Sequence, residues 1–207
     1  MFCMSQVQRL DYSYVERSNM NNQAIRNFDN NFILDTNNTS YCFSVLETGQ
    51  LEHLYFGKKL LVDCAEDFDA MREKHEFAPG DTVAYDPDHV EFTLEDKCLE
   101  MSGYGKGDIR EPLIDLVHSD GNRTTDFTFA GFEIDDVKPE ITGMPSAYDE
   151  SGKVPHLTIF MEEKGYGLKL ELHYCVFVKA NVITRFVKFT NSSSDDVPIR
   201  HCLRMQM

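Results

Sequence analysis

The stretch that decides the fold is residues 168–190, LKLELHYCVFVKANVITRFVKFT, where apolar and polar residues alternate over the first half. One face of that half carries only apolar or aromatic side chains: Leu168, Leu170, Leu172, Tyr174, Val176 and Val178. The opposite face begins with Lys169, Glu171 and His173. Because side chains alternate between the two faces of a strand, this period of two predicts a strand with one buried face.

Other segments repeat the strand pattern. Residues 182–190 are apolar on both sides apart from Arg185 and Lys188, which predicts a strand that is covered on both faces. Residues 41–46 and 51–56 flank a glycine-containing turn, which predicts a hairpin. Many short strands joined by Gly, Asp and Asn turns are typical of a sandwich, and the chain shows no alternation of strands and helices. The predicted fold class is therefore all-β and mainly antiparallel.

One segment departs from the strand pattern. Val62, Ala65, Phe68 and Met71 recur at three-residue spacing, and the acidic residues of this segment precede its basic ones. That order of charges suits the dipole of a helix. We therefore predict one short helix near residues 64–75.

The two ends of the chain differ from its middle. Residues 1–27 are polar without a sustained period, which predicts a poorly structured N-terminal arm before a single β domain over residues 28–207. Residues 199–206 alternate like a strand, and the chain stops at Met207 inside that pattern. We therefore expect the natural polypeptide to continue, and we treat the chain as truncated.

The composition excludes several classes of partner. The 207 residues include 20 Lys and Arg against 35 Asp and Glu, for a formal net charge of −15. Nucleic acids and anionic membranes are bound by clustered basic residues, so we expect neither as a partner. The first ten residues hold no apolar run long enough for an export signal, and the six cysteines form no CxxC pair. These features predict a cytoplasmic protein with reduced thiols.

No motif for metal or nucleophilic catalysis is present in the sequence. The seven histidines show neither HxH nor HxxxH spacing, and no GxSxG elbow occurs. The most site-like stretch is Asp86-Pro87-Asp88-His89, for which a solvated loop is the favoured explanation. The glycine-rich residues 103–107 lack the ending of a phosphate-binding loop. We interpret them as a tight β connection in which glycines take positive φ and Asp108 pairs with Arg110.

Three segments, taken in order, resemble the N-terminal domain of bacterial α-galactosidases of glycoside hydrolase family thirty-six. They are TSY at 39–41 running on to ETGQLEHLYFGK at 47–58, YGKGDIREP at 104–112, and NVITR at 181–185. HSDG at 118–121, TDF at 125–127 and GMPS at 143–146 also look like that family. The resemblance covers roughly residues 28–207, and its specificity comes from the order and spacing of the segments.

The resemblance implies a β-supersandwich that packs against a following (β/α)8 barrel in a tetrameric enzyme. In the family both catalytic aspartates lie on the barrel, and hydrolysis retains the anomeric configuration. A barrel needs about 250 residues. We therefore assign no catalytic residue, cofactor or metal to this chain and expect it to be inactive alone. The implied function is the non-catalytic N-terminal domain of a cytoplasmic retaining α-galactosidase acting on melibiose or raffinose-type sugars, where the domain supports the barrel and oligomer assembly.

A polar segment is the candidate for substrate contact. The family resemblance implies loops that reach the active-site mouth of a neighbouring subunit, and residues 75–90 form a long, turn-rich segment of that kind. From position and chemistry we select His75, Asp88 and His89 as candidate substrate-binding residues. Asp108 and Arg110 we expect to act as a structural clasp at the barrel-facing edge.

Two other functions stay open from the sequence. One is a free-standing carbohydrate-binding or assembly sandwich that works without a barrel, although the chain has no Trp, a residue whose flat face suits sugar binding. The other is a mutarotase-like sugar epimerase, which needs a His and a carboxylate on one concave face, as His173 and Glu171 could provide. The unfinished terminal strand favours the α-galactosidase domain.

Overall fold

Ten strands make up most of the regular structure of the described residues. The computed structural model describes residues 23–72, 83–141, 143, 145–163 and 165–202. In chain order the strands are β1 (Ile25–Phe28), β2 (Asn31–Asp35), β3 (Thr39–Val45), β4 (Leu51–Lys58), β5 (Ile114–Leu116), β6 (Thr128–Asp135), β7 (His156–Glu163), β8 (Leu168–Phe177), β9 (Val182–Asn191) and β10 (Ile199–Cys202).

The strands form two four-stranded sheets and one two-stranded pair. The first sheet has the order β1-β2-β3-β4 and the second the order β6-β7-β8-β9, so each is a meander of consecutive strands. Strands β5 and β10 pair with each other. Every pairing between named strands is antiparallel. The predicted all-β, antiparallel fold is therefore confirmed.

The main core lies between the two four-stranded sheets. The Phe32 ring of β2 stacks on Phe43 of β3 with 5.0 Å between centroids. Phe132 of β6 meets Phe32 edge-on at 5.0 Å, which joins the two sheets. Strands β7 and β8 supply the largest share of the buried side chains in this cluster: Leu157, Ile159, Met161, Leu168, Leu170, Leu172, Tyr174 and Val176. Burial of this apolar surface is the main force that holds the sheets together.

The stretch at 168–190 forms the hairpin of β8 and β9. Its register runs from Leu168 opposite Asn191 to Phe177 opposite Val182, and the predicted apolar face of β8 points into the main core. The prediction that residues 182–190 are covered on both faces is wrong. Ile183, Val187 and Phe189 of β9 pack against the main core from one face, but most side chains of the strand are half-exposed, so its two faces are not both fully covered. Among the described residues β9 lies at the edge of its sheet.

The predicted helix near residues 64–75 is shorter and tighter than expected. It is a 3₁₀ helix at Ala65–Ala70, and its three residues per turn explain the three-residue spacing. Phe68 is fully buried against Ile33 and Cys42 on the outer face of the first sheet. The basic residues counted toward the helix follow Ala70, so its last turn carries no positive charge.

The first strand of the described residues starts close to the predicted domain boundary at Phe28. Strand β1 starts at Ile25, three residues ahead of Phe28, because the Ile25 side chain is buried and pairs with Leu34 of β2. The arm before residue 23 and the predicted strand residues after Cys202 lie outside the described residues. Within the described part of the chain, no helix has the length and apolar character needed to cross a membrane.

Candidate functional site

A cleft of about 450 Å³ opens where several connecting segments meet. The turn between β3 and β4 forms one wall, the segment before residue 90 a second, and the turn between β7 and β8 a third. The charged, amide and aromatic side chains that line the cleft are Glu47, Tyr85, Asp86, His89, Lys106, Asn122, Asp126, Glu163 and Tyr166. Most of these groups can form hydrogen bonds, so the cleft suits a polar ligand.

The glycine-rich connection delivers Lys106 to this cleft. Gly105, Lys106 and Gly107 have φ angles of 83°, 56° and 84°, so the prediction of positive φ at glycines is confirmed here. A Cβ atom on Gly105 would lie 2.8 Å from Thr124 Oγ1, which explains the need for glycine. Lys106 Nζ lies 4.2 Å from the centroid of the Tyr85 ring. This distance is short enough for a cation–π contact.

Hydrogen bonds hold the wall of the cleft that Tyr85 and Asp126 form. The Tyr85 hydroxyl donates to Asp126 Oδ2 at 2.8 Å and accepts from Gln50 Nε2 at 2.9 Å. Gln50 Nε2 also donates to Asp126 Oδ1 at 2.8 Å, and Lys106 Nζ lies 3.6 Å from Asp126 Oδ2. Burial and the hydrogen bond to Asp126 raise the pKa of Tyr85, so the phenol stays protonated as a donor.

Glu163, which lines the cleft, and His118 behind it are buried next to this wall. Glu163 Oε1 accepts from the Asp126 amide at 3.4 Å and lies 3.5 Å from His118 Nε2. Because His118 Nε2 is also 2.9 Å from the carbonyl oxygen of Thr124, which can only accept, this nitrogen must carry a hydrogen. Burial raises the pKa of the Glu163 carboxyl. Its Oε2 is buried and has no hydrogen-bond partner among the described residues.

Tyr166 closes the cleft over His118. The two rings stack with 3.5 Å between centroids and 11° between planes. The Tyr166 hydroxyl donates to Asp120 Oδ2 at 3.0 Å and accepts from Asn122 Nδ2 at 3.0 Å. The ring is therefore held at both its face and its hydroxyl.

The three predicted substrate-binding residues have different positions. His75 lies outside the described residues. Asp88 is exposed and is not part of the cleft wall, whereas His89 is. Asp86 Oδ1 accepts from the backbone amides of Asp88 and His89 at 2.9 and 2.8 Å and lies 2.7 Å from His89 Nδ1. Asp86 therefore shapes the loop and orients the His89 ring toward itself.

Asp108 and Arg110 are in direct contact. Arg110 Nε donates to Asp108 Oδ1 at 2.8 Å, and the Arg110 backbone amide donates to the same oxygen at 3.1 Å. The guanidinium also donates to the carbonyl oxygens of Leu94, at 2.8 Å, and of Lys97. The pair therefore ties the glycine-rich connection to residues 94–97, which is the geometry of a clasp.

A second charged cluster is buried in the core around Glu100. Arg185 Nη1 lies 2.8 Å from Glu100 Oε2, and Arg185 Nη2 donates to the Glu100 carbonyl at 2.6 Å. The hydroxyls of Tyr41 and Tyr174 donate to the carboxylate at 2.6 and 2.9 Å, and His53 Nδ1 lies 2.9 Å from it. Burial alone would raise the pKa of Glu100, but Arg185 and these hydrogen bonds hold it below its usual value. Because the cluster is enclosed in the core, its role is to stabilise the fold.

The histidine considered for an epimerase is also enclosed. His173 Nε2 lies 3.3 Å from Glu171 Oε2, so the two predicted partners do meet. However, His173 is only 6% exposed, its Nδ1 lies 3.0 Å from His156 Nε2, and its ring stacks on Phe186 at 4.4 Å. Burial and the neighbouring His156 lower the pKa of His173. A sugar cannot reach the ring in this arrangement.

Of the residues that line the cleft, the sequence singled out His89 and the stretch around Asp86, but not Glu163 or Tyr166. Glu163 ends β7 and Tyr166 lies in the turn that follows, whereas His118 comes from the connection between β5 and β6, so only the fold brings His118 against them. For this part of the cleft the sequence carries one signal: His118 and Asp126 fall within segments shared with the family that the chain resembles. Among the residues that the structure describes, no group of three or more His, Cys, Asp or Glu is arranged to hold a metal ion.

Several characterised proteins are similar to this chain in sequence. The α-galactosidase AgaA of Geobacillus stearothermophilus is 29% identical over 178 residues, which cover 85% of this chain and 24% of AgaA. Alpha-galactosidase 1 of Pediococcus pentosaceus is 28% identical over 180 residues, again 85% of this chain and 24% of that protein. The chain therefore spans about a quarter of the length of these relatives.

Solved structures of α-galactosidases share the fold. The family 36 α-galactosidase AgaB of Geobacillus stearothermophilus matches with a TM-score of 0.74 at 27% identity, over 87% of this chain and 24% of AgaB. A variant of AgaA from the same organism, in complex with raffinose, matches with a TM-score of 0.75 at 27% identity, over 84% of this chain and 24% of AgaA.

The family assignment rests on a match to the model of a single domain. The model of the glycosyl hydrolase family 36 N-terminal domain matches residues 49–207, which is well over half of the chain. The segments on which the resemblance was based at 47–58, 104–112 and 181–185 fall almost entirely within that range. The chain belongs to the glycosyl hydrolase family 36 N-terminal domain family.

Proposed function

We propose that this chain serves as the non-catalytic N-terminal domain of a retaining α-galactosidase that hydrolyses terminal α-galactosides such as melibiose and raffinose. The observation that carries the proposal is the family match over residues 49–207, together with α-galactosidase relatives that align along 85% of the chain. Retaining hydrolysis needs two carboxyl groups about 5–5.5 Å apart on either side of the glycosidic bond. We assign both to a barrel outside these 207 residues.

A chimeric enzyme tests this function. The 207-residue chain would replace the matching N-terminal part of AgaA, and hydrolysis of p-nitrophenyl α-galactoside would be measured for the chimera, for AgaA and for this chain alone. We expect the chimera to be active and the isolated chain to be inactive. Activity of the isolated chain would place a catalytic pair among its own carboxylates, and an inactive chimera that folds and assembles like AgaA would count against the proposed role.

We further propose that the full enzyme is a cytoplasmic homo-oligomer, a tetramer by analogy with the family. All five cysteines in the described residues are free thiols, which agrees with a reducing compartment. In this proposal the domain supports the barrel and the subunit contacts, and Asp108 with Arg110 stabilises the edge that faces the barrel. The absence of nucleic acid and membrane partners follows from the net charge of −15.

The segment 75–90 is the part of the domain that we propose for contact with substrate at a neighbouring active site. The Asp86 carboxylate holds the loop through the backbone amides of Asp88 and His89. The Asp88 and His89 side chains therefore lie on the loop and do not belong to the core. Replacing His75, Asp88 and His89 together with Ala in the chimera should raise KM for raffinose by about tenfold, which corresponds to 1.4 kcal/mol of binding.

The same triple variant should leave KM for p-nitrophenyl α-galactoside nearly unchanged, because an aryl group does not extend to the neighbouring loop. Alanine at Asp63, Asp69 and Asp96 provides a control with the same number of substitutions outside the segment. Equal changes in KM for raffinose and for the aryl galactoside would contradict the role proposed for this loop.

A further inference from the structure

Two buried histidines form a hydrogen-bonded pair on the outer face of the second sheet. His156 of β7 and His173 of β8 are 3% and 6% exposed. Nε2 of His156 lies 3.0 Å from Nδ1 of His173, and the two rings are nearly parallel, with 10° between their planes. Their neighbours Leu157 and Leu172 point into the main core, so the pair lies on the opposite face.

A carboxylate lies at each end of the pair. Asp135 Oδ2 is 3.2 Å from His156 Nδ1, and Glu171 Oε2 is 3.3 Å from His173 Nε2. An ionised carboxylate can only accept, so each of these contacts needs a hydrogen on the ring nitrogen. The contact between the rings needs a third hydrogen. Because three ring hydrogens on two imidazoles correspond to one positive charge, all three contacts are made when the pair carries one charge.

A second positive charge is incompatible with the contact between the rings. Two protonated rings carry a hydrogen on every nitrogen, and at 3.0 Å between Nε2 and Nδ1 two hydrogens would face each other about 1 Å apart. Thr158 Oγ1 lies 3.2 Å from His173 Nδ1 and 3.4 Å from His156 Nε2, but a bond to this hydroxyl does not separate the rings. A second proton therefore forces the rings apart.

The groups that face the pair from the neighbouring strands also limit its charge. Glu171 lies 2.7 Å from Lys188 Nζ of β9, so it is shared between Lys188 and His173. Asp135, Glu171 and Lys188 together carry one net negative charge, which one protonated ring balances. The titratable groups on this face around the pair are Glu133 and Asp135 of β6, Glu171 and Cys175 of β8, and Lys188 of β9.

The pair also lies at the base of the connection between β6 and β7. Asp135 ends β6 and His156 begins β7, so their contact joins the two ends of this connection. Val154 of the connection is buried against Cys175, and its amide donates to the Asp136 carbonyl at 2.9 Å. Because Cys175 lies opposite His156 in the register, a displacement of the His156 ring disturbs the surface on which the connection packs.

We propose that the His156–His173 pair is a pH-sensitive switch that holds the β6–β7 connection in place while the pair carries no more than one positive charge, and that a second proton releases the connection. The inference goes beyond the proposed function, because the switch belongs to this chain and requires neither a barrel nor hydrolysis.

The direction of the pH effect follows from His173. Burial and the neighbouring His156 hold its pKa in the folded chain below the ordinary 6.5, so below that pH the closed form binds fewer protons than the open form. The contribution of the pair to stability is therefore complete above about pH 6.5 and is lost as the pH falls. One proton taken up on opening changes the opening equilibrium by up to tenfold per pH unit.

Amide hydrogen exchange of the 207-residue chain, followed by NMR and corrected for the intrinsic pH dependence of exchange, tests the switch. We expect protection of the Val154 amide to fall by up to tenfold between about pH 6.5 and 5.5. The Val45 amide, which donates to the Asn30 carbonyl at 3.0 Å in the first sheet, should keep its protection.

Two variants assign the effect to the pair. His173→Gln should abolish the pH dependence at Val154, because glutamine forms hydrogen bonds but does not titrate. His89→Gln is the matched control, since His89 lines the cleft and is not part of the pair, and this variant should behave like the wild type.

The wild-type measurement decides the proposal even where a variant fails to fold. The proposal is wrong if Val154 keeps its protection over this pH range, if Val45 loses protection in parallel with Val154, or if folded His173→Gln shows the pH dependence of the wild type. None of these results bears on the proposed α-galactosidase role, which depends on hydrolysis by the chimera.

Discussion

Replacing Arg185 with Met should lower the free energy of unfolding of this chain by about 3–5 kcal/mol. The Arg185 side chain is 7% exposed, and its Nη1 lies 2.8 Å from Glu100 Oε2, whose side chain is fully buried. Removing the guanidinium leaves a buried carboxylate without its counter-charge, and two tyrosine hydroxyls and His53 cannot replace it. Urea unfolding measures the loss as a lower midpoint with an unchanged slope.

A variant of an exposed ion pair shows whether the loss comes from the burial of the Arg185–Glu100 pair or from the loss of a positive charge alone. Lys169 Nζ lies 3.0 Å from Glu162 Oε1, but these side chains are 54% and 47% exposed, so Lys169→Met should cost less than about 1 kcal/mol. The double variant Arg185→Met with Glu100→Gln should be less destabilised than the sum of its single variants, because it leaves no unpaired buried charge. A loss from Arg185→Met no larger than that from Lys169→Met would contradict this account of the core.

Strand positions were predictable where the residues themselves carry the pattern. Leu168, Leu170 and Leu172 alternate with Lys169 and Glu171, and this spacing alone places β8 with one face in the core. The cover on β9 was predicted wrongly, because what packs over the faces of a strand depends on how the whole chain is arranged in space. That arrangement is a non-local property, and no window of residues 182–190 contains it.

The contacts of the buried Glu100 cluster and of the cleft could not be predicted from the sequence for the same reason. Arg185 and Glu100 are 85 residues apart, and His118 and Glu163 are also far apart in the chain. The one usable signal was Arg185 itself, because an arginine within an otherwise apolar strand is rarely buried without a partner. Its partner among 35 acidic residues could be identified only from the fold.

Replacing Phe32 with Ala should destabilise the chain by about 3–5 kcal/mol, because the substitution opens a cavity where the two sheets meet. Phe32 is completely buried, stacks on Phe43 of its own sheet at 5.0 Å and meets Phe132 of the other sheet edge-on at 5.0 Å. The loss therefore combines the transfer of an aromatic ring to water with contacts that the surrounding rings cannot recover.

Phe56→Ala is the matched control for that cavity, since Phe56 is 54% exposed on β4 and most of its surface already contacts water. We expect it to cost less than half as much as Phe32→Ala in the same urea experiment, and Phe32→Leu to fall between them because leucine refills part of the space. A cost for Phe32→Ala no greater than for Phe56→Ala would mean that the two sheets do not pack through this ring. The sandwich would then be held by other contacts between the sheets, such as the stacking of Phe43 on Tyr174 at 5.2 Å between centroids.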